Sequence, residues 1–139
     1  VKKWTAPFMA SWRDLVTGAM ERNDEKMKRA MPEIGFVRDG TNYDFPAWRD
    51  YYISSILKPF IHDKPFRYTS ELIQNEITGM YKNNPNLFKF SIPKDFVLAM
   101  RLMAGFDSVM VSLNAEANWR NILLEALYDN PAEYPPPFP

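Results

Sequence analysis

The chain has 139 residues and a mass of 16.3 kDa, with 17 Lys and Arg balanced by 17 Asp and Glu. That length suits one domain with a core of its own, and 46% hydrophobic against 24% charged residues excludes a disordered polyelectrolyte. Zero net charge argues against a non-specific nucleic-acid binder, and the lack of cysteine excludes disulfides, thiolate metal sites and a cysteine nucleophile within this chain.

Hydrophobic spacing predicts helices punctuated by proline. Met9, Trp12, Leu15, Val16, Ala19 and Met20 form one apolar stripe, with Ser11 as the expected N-cap and Asp14 in the first turn. Asn23-Asp24 starts a second helix carrying Met27, Ala30 and Met31, which Pro32 is expected to end because it lacks a donor. Ile34–Val37 and the loop after it read as coil. Asp44-Phe45-Pro46 opens a third helix, with proline in the first turn and Trp48, Tyr52, Ser55 and Ile56 on one face. Pro59 and Pro65 bracket its exit. Thr69 or Ser70 caps the next helix, whose stripe is Leu72, Ile73, Ile77, Met80 and Tyr81, and Asn83–Asn86 closes it.

Ser91-Ile92-Pro93 opens the longest helix. Residues 96–113 are apolar almost all round, a pattern that predicts a central, buried helix. Asn114 is the expected cap of a last helix bearing Trp119, Ile122, Leu123, Ala126 and Leu127. Residues 131–139 hold five prolines and read as an extended tail. No stretch alternates strictly enough for a sheet. The expected fold is all-α, about six helices around one long buried helix, with residues 1–130 as one domain and 131–139 as a proline-rich tail.

The chemistry-bearing residues are few. His62 is the single histidine and has no acidic or histidine partner at helical spacing, so it reads as structural. Arg101 and Asp107 are the ionisable groups of the apolar helix; they lie six apart, on different faces, and each needs a partner elsewhere or solvent. On this reading Arg101→Leu destabilises more than Arg120→Leu. The same two charges argue against a transmembrane reading of residues 96–113. The aromatic cluster of Trp48, Tyr51, Tyr52, Phe60, Phe66 and Tyr68 reads as core rather than a base-stacking platform, given the neutral charge. No G-x-x-x-x-G-K or G-x-G-x-x-G occurs, and no Ser/His/Asp set can be assembled. No catalytic, cofactor-binding or metal-ligating residue is assigned.

Two stretches carry a resemblance: Asp14-Leu15-Val16 through Arg22-Asn23-Asp24 to Glu33-Ile34-Gly35-Phe36, and Ile92 through Arg101 on to Gly105, Leu113, Asn118 and Trp119. Together they resemble the C-terminal helical part of the UbiB/AarF atypical kinase-like family. The resemblance implies the helical back of a kinase-like large lobe, with roles in quinone and lipid homeostasis. ATP and magnesium would bind only a full-length parent, whose nucleotide loop, lysine, catalytic loop and metal aspartate would precede Val1. None of those has a counterpart here, so Arg101 is carried over as a structural anchor alone, and the isolated chain is expected to bind no Mg-ATP. The start at Val1 fits a processed chain or a fragment.

The alternative is a stand-alone helical module that binds a protein or lipid partner through an exposed groove. The partners implied are the upstream part of the same polypeptide or a separate protein, with peripheral lipid contact left open. Neither nucleic acid nor a membrane-spanning segment is expected, and nothing names a compartment.

Overall fold

The computed structural model describes residues 3–82 and 84–139; Asn83, part of the expected helix stop, lies outside them. Its elements are α1 (Ala6–Met20), α2 (Asp24–Ile34), α3 (Phe45–Tyr51) continuing into a π-helical turn (Tyr52–Ile56), α4 (Lys58–Ile61), β1 (Phe66–Arg67), α5 (Ser70–Tyr81), α6 (Lys94–Ser112), β2 (Glu116–Ala117), α7 (Trp119–Leu127) and a 3₁₀ turn (Pro131–Glu133). The architecture is all-α, as the periodicity predicts.

The core is built on the pair α1–α2, with Phe45, Tyr52, Leu57, Ile61 and Leu124 added from the elements around it. Leu15, Val16, Ala19 and Met20 of α1 meet Met27, Ala30, Met31 and Ile34 of α2, all buried. Asn23 caps α2, its side-chain oxygen accepting from the Lys26 N–H at 3.0 Å. The cap of α1 is Thr5 rather than Ser11: Pro7 sits in the first turn, and the Ser11 hydroxyl lies inside the helix donating to the Pro7 carbonyl at 3.1 Å. Nor does Pro32 end α2. The helix runs on to Ile34, because Gly35 at φ 95° turns its N–H back onto the carbonyls of Met31 and Pro32. A proline this near the C-terminus costs little, and the left-handed glycine is the actual stop.

Asp44 caps α3 as expected, accepting from the Ala47 N–H at 3.0 Å, with Pro46 in the first turn. Trp48 stacks on Tyr52 with ring centroids 5.0 Å apart, so the aromatic cluster is largely packing. Thr69 caps α5 through the Leu72 N–H. Asn86, fully buried, exchanges two 2.8 Å hydrogen bonds with the Asp44 backbone and pins the loop after α5 to the start of α3.

Three expectations fail beyond this point. The long helix α6 is not buried: Ala99 is its one buried residue, while Leu102, Val109 and Leu113 are 57%, 52% and 68% exposed. It packs along one side only, with Phe96 against Phe36 (4.5 Å) and Trp12 (5.1 Å) near its start and Phe106 against Tyr68 (5.9 Å) further on. Asn114 does not cap α7. It takes a positive φ of 50°, which asparagine tolerates, and Asn118 caps the helix instead. Between them Glu116-Ala117 pairs antiparallel with Phe66-Arg67, a ladder two residues long and too short for any alternation to reveal. The chain after Pro131–Glu133 is extended, as its prolines require, but it lies on the core. Tyr134 and Phe138 pack against that core, and the Phe138 N–H donates to the Ile61 carbonyl at 3.0 Å.

Candidate functional site

Among the described residues, two clefts lined in part by charged side chains stand out. The larger, about 520 Å³, is lined by Arg22, Asp24, Met27, Arg49, Asp50 and Phe138 among others. Its charges are already engaged: Arg49 bridges Asp24 at 2.7 Å and Asp50 at 2.8 Å, and the Arg22 guanidinium lies 4.5 Å from the Phe138 ring centroid. Little of its charge is left for a ligand.

The second, about 280 Å³, opens between the π-helical turn, α4, α5 and α6. Ile56, Pro59, Phe60, Leu102 and Met103 give it apolar walls, and Tyr68 and Phe106 add aromatic edges. Two carboxylates face this space, Glu76 from α5 and Asp107 from α6. Among the described residues neither side chain has an ion pair. Burial pushes the Glu76 carboxyl up to about 7, and the nearby Asp107 charge adds to the effect. Asp107 is raised by burial alone, and the Tyr68 phenol is raised by burial and then by both carboxylates. This arrangement can hold and release a proton near neutrality. It brings together no nucleophile and base, and among the described residues no three histidine, cysteine or acidic side chains converge as metal ligands.

The residues singled out in the sequence are dispersed. His62 ends α4, its Nδ1 3.4 Å from the Phe138 carbonyl oxygen, which is a tail-fastening role. Arg101 is exposed on α6, with no ion pair or side-chain hydrogen bond among the described residues. The buried arginine is Arg120 of α7, 2% exposed, whose Nη2 donates to the Pro135 carbonyl. The expected ranking of Arg101→Leu above Arg120→Leu therefore inverts, because α6 shows that face to solvent. Asp107 was visible as a charge in an apolar run. Glu76 is absent from the residues the sequence points to, although its place three residues after Ile73 and four after Leu72 sets an acid on the apolar stripe.

A stripe along α6, which begins at the rim of this cleft, is the other notable surface. Leu102, Phe106, Val109 and Leu113 follow one another at helical spacing and are all exposed. Among the described residues no helix is long and apolar enough to cross a membrane. Compared with family models, curated proteins and solved structures, the chain finds no match.

Proposed function

We propose that this chain is a helical docking module rather than an enzyme. The observation that carries the reading is the stripe of Leu102, Phe106, Val109 and Leu113 along α6, large apolar side chains that stay 43–68% exposed even where Phe106 rests on Tyr68. Contiguous exposed apolar surface of this kind marks an interaction site, and an amphipathic helix face is a common way to present one. The test is a Val109→Glu variant, which alters an exposed position and leaves the α1–α2 core alone. In extracts of the source cells the unaltered chain should run as an assembly larger than 16.3 kDa. Val109→Glu should run as a monomer with unchanged melting. A chain that is monomeric in both forms sinks the reading.

The UbiB/AarF reading stands beside it for one reason. The two stretches that carry the resemblance pack on each other, Phe96 of the second lying against Phe36 of the first. On that reading the upstream lobe would cover part of the exposed surface, and phosphoryl transfer would belong to that lobe. A reading frame that runs upstream through a nucleotide-binding lobe supports it, and one that starts near Met9 removes it.

A further inference from the structure

The connection from α5 to α6 differs in chemistry from the rest of the surface. Phe88 is 94% exposed, the most exposed of the large apolar side chains, and Tyr81, Leu87 and Ile92 around it are 64%, 37% and 57% exposed. The cations Lys82, Lys89, Lys94 and Arg101 are interspersed with them and are themselves exposed. Across residues 82–101 the one acidic side chain is Asp95. None of these four cations enters an ion pair among the described residues. A chain of zero net charge has thus gathered four cations and a set of protruding apolar side chains into one connection and the first turns of one helix.

We propose that the exposed side chains of Lys82, Leu87, Phe88, Lys89, Ile92, Lys94 and Arg101 form a docking surface for an anionic phospholipid bilayer, a second surface that goes beyond the α6 stripe and stands independently of it. Phe88, Leu87 and Ile92 supply apolar groups that can enter the boundary between headgroups and acyl chains. Lys82, Lys89, Lys94 and Arg101 face the phosphates. The occupant is argued from charge. A neutral apolar protein groove would gain nothing from four unpaired cations, whereas the surface of an anionic leaflet attracts each lysine or arginine held near it. The buried Asn86 fastens the base of the connection through the Asp44 backbone, so the exposed side chains are carried on an anchored loop. Few protruding apolar side chains beside four cations predict a reversible, salt-sensitive attachment rather than insertion.

The experiment is co-sedimentation of the 139-residue chain with vesicles of phosphatidylcholine mixed with phosphatidylglycerol, against vesicles of phosphatidylcholine alone. The chain should pellet with the anionic vesicles, remain in the supernatant with the neutral ones, and be released by salt. The Lys82→Glu/Lys89→Glu double variant should lower the vesicle affinity by about tenfold or more, and Phe88→Ser by several-fold. Both change exposed side chains and should melt like the parent chain. Absence of binding overturns the inference, as does equal binding to neutral vesicles or parent-like binding by both loop variants. Val109→Glu lies outside the loop and should keep vesicle binding. If vesicles fail to bind but Val109→Glu still dissolves a protein assembly, the lipid inference falls and the docking reading stands. If Val109→Glu has no effect while the loop variants lose vesicles, the α6 stripe is discarded and the loop remains.

Discussion

A carboxylate set between aromatic and aliphatic walls gives up its proton reluctantly, and Glu76 is in that position. Its carboxyl rises from an ordinary 4.5 to about 7 because burial disfavours the charged form and Asp107 stands near it. A raised acid binds its proton more tightly folded than unfolded. The folded state therefore loses stability as pH climbs from about 4.5 to about 7, and the penalty is fully present above that window. Glu76→Gln removes the ionisation, so it should raise the melting temperature at pH 8 and leave it nearly unchanged at pH 4. Melting curves at the two pH values test this, and an equal effect at both would show that Glu76 titrates normally. Position 76 was legible as an acid on an apolar stripe. What the stripe could not reveal was Asp107 facing the same cleft, because two residues 31 positions apart meet only through the packing of α5 and α6.

At the scale of elements, close approach decides which glycines matter. Gly79 of α5 lies against the Tyr51 ring, and a β-carbon there would sit 2.7 and 2.9 Å from two ring carbons. The same ring's hydroxyl donates to the Glu76 carbonyl at 2.8 Å, so Tyr51 cannot retreat without losing that bond. Gly79→Ala should destabilise by about 1–3 kcal/mol through this overlap, despite a helix-propensity gain of up to about 1 kcal/mol. Gly105 on α6 has no atom within 4 Å of such a carbon, so Gly105→Ala should stabilise by up to about 1 kcal/mol. Urea unfolding of the two variants measures the contrast, and a stabilised Gly79→Ala would mean that α5 shifts freely. Helix starts were well read from local chemistry at Asn23, Asp44 and Thr69, where a side-chain oxygen meets an N–H three residues on. Ser11, Pro32 and Asn114 misled because each residue type has a second use: hydroxyl back-bonding, tolerance in a last helical turn, and a positive φ.

Across the whole molecule the C-terminal segment acts as a fastening. The Arg22 Nη2 donates to the Pro137 carbonyl at 3.0 Å, Arg120 donates to that of Pro135, and His62 lies against that of Phe138. Arg120 is held without an acidic partner in hydrogen-bond contact, and its Nη1 has no partner among the described residues. Burial lowers its pKa, with Asp63 opposing that effect. Arg120→Ala removes a buried side chain and a charged hydrogen bond, and it should cost about 2 kcal/mol, a fall in Tm of roughly 5–8 °C. Arg101→Ala, on the exposed side of α6, should stay within about 0.5 kcal/mol of the parent. Thermal melting ranks the two, and equal shifts would mean that the tail is not held through Arg120.

The helical class, the apolar faces of α1 and α2, and most helix starts follow from the chain alone, because periodicity and capping are properties of neighbours along it. The sequence also limits the chemistry, since a chain without cysteine and with one histidine has few nucleophiles to arrange. That the most apolar helix lies at the surface is a consequence of packing. A pattern apolar on every side says that burial would be favourable, but how many neighbouring helices reach that segment depends on their relative placement. The same placement put Arg120 rather than Arg101 in the interior, set Glu76 opposite Asp107, and turned the proline-rich end into part of the packed surface. What a helix can bury is written locally, and what it does bury is settled by the elements folded against it.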